Sequence, residues 1–135
     1  MITMLTELIA KHEGKKLEMY MDTVGVPTIG YGHNLQTPIS EKAAIQILED
    51  DVKVAVAELD ENMMWWRDLP EKAQIVLASM VFNLGFPRFS RFKKMIAALE
   101  NRDYAEASAQ MEDSKWFYQV KSRGVELCKM MKEAG

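Results

Sequence analysis

Apolar side chains recur along most of this chain at the three- and four-residue spacing of amphipathic helices. That spacing predicts a first helix over residues 2–12, which Gly14 ends. A longer apolar stripe predicts a second helix over about residues 40–60, with Ser40 as its N-cap. The pattern therefore indicates a mainly helical protein whose longest element lies in its first half.

The rest of the chain predicts more helices. They cover about residues 70–85, 89–99, 103–111, 114–120 and 123–133. In the first of these, Ile75, Ala78, Ser79 and Phe82 are expected to face one way. Glu106 three residues after Asp103 is the D-x-x-E signature of a helix start.

Residues 17–35 break the helical rhythm. Apolar and polar side chains alternate from Leu17 to Met21, and Val24–Pro27 offers a turn. The next segment, Thr28–Gly32, is rich in β-forming residues but interrupted by glycine. We therefore expect an α+β protein, mainly helical, with a small antiparallel sheet near its front.

Length and charge exclude several classes of protein. The 135 residues suffice for one domain, and no apolar run approaches the ~20 residues of a membrane span. The net charge of −3 combines 7 basic and 13 acidic side chains in residues 1–85 with 10 basic and 7 acidic ones in residues 86–135. Neither half of the chain has the high density of basic residues that forms the binding face of a nucleic-acid binder. The single Cys128, among apolar neighbours, is expected to be a buried thiol.

Two carboxylates and a hydroxyl in the opening stretch have the pattern of a glycosidase site. Glu13 falls at the end of the first helix, where unpaired carbonyls and the helix dipole disfavour its ionised form. Asp22 lies beside a turn that keeps it ionised, and the Thr28 hydroxyl is placed to hold a water. Glycosidases need such an acid and such a carboxylate. From spacing alone, a surface glutamate and a turn aspartate explain the same residues, because acids are common near turns.

Three ordered motif blocks carry a family resemblance. The first is E-x8-D-x5-T followed by I-G-Y-G-H, which begins at Glu13. Met80–Gly85 and Ser114–Trp116 follow far along the chain and resemble M-V-F-Q-M-G and S-R-W. These blocks are similar to those of the phage-type lysozymes, a family of glycoside hydrolases. The resemblance implies a lysozyme-like fold with a sheet lobe over about residues 14–40, a joining helix over about 40–60, and a helical lobe made of residues 1–13 plus 61–135.

The resemblance also implies an activity. It identifies a peptidoglycan muramidase that hydrolyses the β-1,4 bond between N-acetylmuramic acid and N-acetylglucosamine. Glu13 matches the general acid, and Asp22 with Thr28 matches the pair that positions water for an inverting displacement. The positions that match sugar contacts are Asn34, Phe82 and Gln110.

Further residues match structural support of that site. The resemblance places His33 opposite Asp51 in a salt bridge and pairs Arg123 with the catalytic glutamate. With two histidines and one cysteine, the chain has a poor supply of metal ligands, and we expect neither a metal nor a cofactor. The Trp65-Trp66 pair is either a sugar-stacking platform or a core plug, and the core is the commoner place for such a cluster.

Partners and location follow from the same reasoning. We expect peptidoglycan glycan strands as the substrate, no nucleic acid, no stable membrane insertion and a monomer. The first residues do not have the pattern of a signal peptide, which combines a basic start, an apolar centre and a small-residue cleavage site. We therefore expect synthesis in the cytoplasm and release to the wall through a pore-forming partner such as a holin.

Two other functions remain open from sequence. A lytic transglycosylase cleaves the same bond with one glutamate and has no need of Asp22 and Thr28. A non-catalytic wall-binding domain with the same fold tolerates loss of Glu13. The presence of all three side chains favours the hydrolase.

Overall fold

Eight α-helices, one 3₁₀ helix and a three-stranded sheet make up the protein in a computed structural model that describes all 135 residues. The predicted α+β class, mainly helical with a small antiparallel sheet, is confirmed. The chain forms two compact units, a sheet unit of residues 1–44 and a helical unit of residues 45–135. The division into lobes that the resemblance implies stays a prediction.

The sheet unit contains one helix and all the strands. Its elements are α1 (Ile2–Glu13), β1 (Lys16–Met21), β2 (Pro27–Gly30) and β3 (His33–Asn34). The strands pair antiparallel in chain order, so Thr28 on the central strand lies between Tyr20 and Asn34. Helix α1 ends at Gly14, whose N–H donates to the Ala10 carbonyl at 3.0 Å, as the sequence predicts.

The remaining elements belong mostly to the helical unit. They are α2 (Glu41–Asn62), a 3₁₀ helix (Met64–Asp68), α3 (Glu71–Leu84), α4 (Phe86–Phe89), α5 (Lys93–Glu100), α6 (Tyr104–Glu112), α7 (Lys115–Val120) and α8 (Ser122–Lys132). Helix α2 begins within the sheet unit, and Ser40 Oγ accepts from the Ala43 N–H at 3.1 Å. Asp103 Oδ1 accepts from the Glu106 N–H at 3.0 Å. Both predicted caps are therefore confirmed.

The hydrophobic core lies within residues 55–131. Its largest fully buried side chains are Phe89, Leu59, Leu77, Met80, Met95, Leu99, Met111 and Met131. Trp66 is 2% exposed, which places it in the core rather than on a sugar-stacking platform. Burial raises the pKa of the Cys128 thiol to about 11, an effect to which the charge of Glu112 adds. Cys128 is therefore the buried, unreactive thiol that the sequence predicts.

One prediction for the helices is wrong. Residues 89–99 form no single helix, because the chain turns between α4 and α5, where the Phe92 N–H donates to the Phe89 carbonyl. The four residues predicted to face one way, Ile75, Ala78, Ser79 and Phe82, lie on the more exposed side of α3, where Ile75 is 48% and Phe82 is 40% exposed. The buried face of α3 consists of Ala73, Val76, Leu77, Met80 and Val81.

No helix in the protein combines the length and the apolar character that crossing a bilayer requires.

Candidate active site

Glu13 is the last residue of α1, and its side chain lies against the turn between β2 and β3. A methyl group on Gly32 would lie 2.9 Å from Glu13 Oε2 and 3.2 Å from Glu13 Cγ. The carboxyl group therefore crosses directly over the Gly32 backbone. Gly32 has a φ of +79°, in the left-handed region that favours glycine. A side chain at this position would strain the backbone and displace the Glu13 carboxyl group from where it lies.

Asp22 directly follows β1 and organises the turn to β2. Its Oδ1 accepts from the N–H groups of Val24, at 2.9 Å, and Val26, at 2.8 Å. Its own N–H donates to the Val26 carbonyl at 2.9 Å, and its carbonyl accepts from the Gly25 N–H at 3.1 Å. The bonds from Val24 and Val26 both fix the carboxyl group through one oxygen, Oδ1, and the two backbone bonds close the turn. The other oxygen, Oδ2, is left to face a substrate or a water.

Thr28 is held by the same residue that holds Asp22. The Thr28 hydroxyl donates to the Val26 carbonyl at 2.8 Å, so its lone pairs can accept a hydrogen bond from water. Thr28 is 4% exposed and is the one buried side chain of the sheet unit. Val26 therefore joins the two side chains through its peptide groups, with its N–H on Asp22 and its C=O on Thr28.

This arrangement suits a carboxylate that directs water. An oriented carboxylate oxygen and a nearby hydroxyl with a committed proton are both acceptors, and a water molecule needs acceptors to be polarised as a nucleophile. An exposed carboxyl group such as that of Glu13 can exchange protons with a substrate oxygen. The sheet unit thus holds all three predicted catalytic side chains, on one helix end and one hairpin.

Two further predicted residues lie on β3. Asn34 pairs with Thr28 across the sheet, and its Oδ1 accepts from the Gln36 N–H at 2.8 Å. Its side-chain NH₂ group is left as the part that can reach a sugar. His33 Nε2 is buried and has no hydrogen-bond partner. The predicted His33–Asp51 salt bridge and the sugar contact of Asn34 stay predictions.

Two predicted residues of the helical unit share one cavity. Phe82 and Asp51 both line a space of about 220 Å³ between α2 and α3, which Glu58 also borders. Phe82 is 40% exposed, so its ring is available to a ligand. An exposed aromatic ring beside carboxylates suits the apolar face and the hydroxyl groups of a sugar.

The last two predicted residues have defined partners within the helical unit. Gln110 Nε2 donates to Glu106 Oε1 at 2.7 Å, and Gln110 lines a second, larger cavity. Arg123 Nη2 donates to Ser79 Oγ at 3.2 Å and to the Ser79 carbonyl at 3.4 Å. The glutamate partner of Arg123 stays a prediction.

Sequence reasoning did not identify two residues that shape the site. Gly32 was visible as a glycine among β-forming residues, but the approach of Glu13 to it appears only in three dimensions. Val26 acts through its peptide groups, which no side-chain motif reveals. No three histidine, cysteine or acidic side chains are grouped so that they could hold a metal ion.

Known proteins resemble this chain over most of its length. A family model described as phage lysozyme matches residues 10–131. The probable T4-type lysozyme 2 of Dictyostelium discoideum is 28% identical, over 91% of this chain and 90% of that protein. An endolysin of Acyrthosiphon pisum secondary endosymbiont phage 1 is 30% identical, over 81% of this chain and 74% of its own. The pre-baseplate central spike protein Gp5 of Enterobacteria phage T4 is 24% identical over 88% of this chain, which matches 26% of that protein.

Proposed function

Because this chain belongs to the phage lysozyme family and is a glycoside hydrolase of the lysozyme type, we propose that it cleaves the β-1,4 bond between N-acetylmuramic acid and N-acetylglucosamine. The substrate of this family is peptidoglycan. The observation that carries the proposal is the joint anchoring of Asp22 and Thr28 on Val26, beside a hairpin that also approaches Glu13.

The three side chains take separate roles. Glu13 donates a proton to the glycosidic oxygen as the bond from that oxygen to the sugar carbon breaks. A water molecule, polarised by Asp22 Oδ2 and the Thr28 hydroxyl, attacks the same carbon from the opposite face and gives up its proton to Asp22. The anomeric configuration is thereby inverted, and we expect the two carboxyl groups to stand ~6.5–9.5 Å apart.

The hydrogen-bond pattern favours hydrolysis over transglycosylation. A lytic transglycosylase excludes water and closes an internal anhydro ring, so it has no use for a second carboxylate held by backbone N–H groups. Here Asp22 accepts two such bonds. The arrangement also argues against a non-catalytic wall-binding domain, because binding alone needs no pair of acceptors aimed at water.

Product masses test the proposal directly. Purified peptidoglycan digested with the protein should yield fragments with free reducing ends. An anhydro terminus makes each fragment lighter by one water, and finding it as the main product would replace hydrolysis by transglycosylation. Absence of any soluble fragment, with retained binding to the wall, would support the binding-domain alternative.

We also propose that the enzyme acts as a monomer and reaches the wall with the help of a holin-type pore. Support comes from the similarity to a phage endolysin. Expression of the chain alone should leave producing cells intact, and co-expression with a holin should lyse them. Lysis without a holin would contradict this route, and a dimer seen in sedimentation would contradict the monomer.

A further inference from the structure

The larger cavity of the helical unit is lined by positive charge. It has a volume of about 640 Å³, and its border includes five cationic side chains and one carboxylate. The cations are Arg88, Arg91, Lys93, Lys94 and Lys115, and the carboxylate is that of Asp113. The whole chain carries a net charge of −3, so this concentration of cations is local.

None of these cations is neutralised by an ion pair. The two ion pairs of the protein, Arg67–Asp60 and Lys72–Glu133, involve none of them, and all five side chains are exposed. Four of the five lie within residues 86–99, which contain no acidic residue. Like charges gathered at one cavity repel one another, and a bound anion removes that repulsion.

The floor of the cavity is apolar. It is formed by Leu84, Phe92, Met95 and Trp116. The rings of Phe92 and Trp116 meet edge to face at 6.1 Å, and the Trp116 Nε1–H donates to Asn83 Oδ1 at 2.9 Å. These two contacts orient the aromatic rings of the floor.

The size of the cavity and the spread of its charges define the ligand. A single phosphate or carboxylate cannot contact five cations around a space large enough for a drug-sized molecule. The ligand must carry several negative charges separated by uncharged units that rest on the apolar floor. The amide side chain of Gln119 on the border can bond the hydroxyl groups of such units.

We infer that this cavity binds a chain of phosphodiester-linked polyols or sugars, of the kind that gives bacterial walls their negative charge. The planar guanidinium groups of Arg88 and Arg91 match the oxygens of a phosphate, and three lysines add charge. Binding to such a polymer holds a net acidic enzyme at the wall. This role is separate from hydrolysis, because the polymer has no bond that a muramidase cleaves.

The test measures binding of the full chain to a delipidated, fluorescently labelled poly(glycerol phosphate) by anisotropy. The cavity variant replaces Arg88, Arg91 and Lys94 by serine. The control variant replaces Lys42, Lys53 and Lys129, which are exposed and outside the cavity, with the same change in net charge. We expect the cavity variant to lose at least about tenfold in affinity and the control to lose much less. The slope of log affinity against log salt should fall by roughly one per cavity cation removed.

Three further measurements make the result decisive. Poly-glutamate of matched charge should bind more weakly than the phosphate polymer, and equal binding would overturn the phosphodiester assignment. An equal loss in the control variant would overturn the cavity as the site.

Circular dichroism checks folding of the triple variant, and a single Lys94→Glu change gives the same comparison if the triple does not fold. Hydrolysis of short peptidoglycan fragments that carry no phosphodiester polymer should be unchanged in the cavity variant. Failure of this inference and failure of the proposed function therefore give different results.

Discussion

The sheet unit carries the three proposed catalytic side chains but buries only one side chain, that of Thr28, whereas the helical unit contains all twenty buried apolar residues. In the sheet unit, the site is held by hydrogen bonds to Val26 and by the close approach of Glu13 to Gly32. In the helical unit, burial of apolar side chains holds the structure together, and none of the three proposed catalytic side chains lies there.

Because of this difference, the stability and the activity of the protein should depend on different units. Burial of apolar area is the main favourable term in folding, so the stability of the protein should depend mostly on the helical unit. Local turns fix the orientation of Asp22 and Thr28, so activity should depend mostly on bonds that contribute little to stability. Substitutions in the two units should therefore affect different measurements.

The largest effect on activity is expected for Glu13→Gln. The amide is nearly the same size as the acid but cannot donate the proton, so turnover should fall by ~10²–10⁴-fold. The melting temperature should stay close to that of the wild type, because helix α1 buries no residue. Glu7→Gln, an exposed change on the same helix with the same loss of charge, is the control and should keep full activity. Turnover near wild type in Glu13→Gln would remove Glu13 from the acid role.

The largest effect on stability is expected for Leu77→Ala. Leu77 is fully buried in the helical unit, and removing such a side chain lowers the free energy of unfolding by about 2–5 kcal/mol. The matched change in the sheet unit is Leu8→Ala, at a residue that is 49% exposed, with an expected loss of less than about 1 kcal/mol. Urea unfolding measures both. An equal loss in the two variants would contradict the contrast between the units.

Prediction from sequence succeeded where the signal is local. The Asp103–Glu106 cap and the helix end at Gly14 depend on residues within one turn, and both are confirmed. The buried face of α3 could not be predicted, because apolar residues occur on every side of that helix. Ile75 fits a helical stripe as well as Leu77 does, and only packing against other helices decides between them.

Prediction of the site was limited in the same way, to features that are local in the sequence. Glu13, Asp22 and Thr28 were found by their spacing and by family resemblance, since both are properties of the chain alone. The contact between Glu13 and Gly32 joins the end of a helix to a turn nineteen residues later in the chain, so no local pattern predicts it. The basic cavity was visible in sequence only as a mild charge imbalance, because its border comes from several helices.

A smaller effect, on both activity and stability, is expected for Gly32→Ala. The positive φ costs alanine about 1–2 kcal/mol, and the added methyl group pushes the Glu13 carboxyl group aside. Misplacing a catalytic group by about 1 Å can cost ~10²-fold in rate. Gly30→Ala is the control, with a φ of +70° and nothing within 4 Å of its added methyl group. We expect the Gly32→Ala and Gly30→Ala variants to have similar melting temperatures, and Gly32→Ala to have the lower turnover. Equal turnover in the two variants would show that the contact with Glu13 does not position the acid.

The smallest effect is expected for Asp60→Asn in the helical unit. The Arg67 guanidinium, and to a lesser degree the Trp66 indole N–H, hold the pKa of Asp60 below its usual range. A carboxyl group whose pKa is lowered by folding stabilises the protein above its unfolded pKa and loses that contribution as the pH falls through its folded pKa. The difference in melting temperature between wild type and Asp60→Asn should therefore be constant at neutral pH and shrink below about pH 4. A difference that grows on acidification would contradict the assigned direction.

The configuration of the first product tests the central claim most directly. If water held by Asp22 and Thr28 attacks the sugar, the new reducing end forms with the α configuration. If Asp22 itself attacks, a covalent intermediate forms and the product is the β anomer. Proton NMR of fresh digest, recorded before mutarotation, distinguishes the two. We predict that the α anomer appears first, and a β anomer appearing first would contradict the water-directing role of the hairpin and make Asp22 the nucleophile.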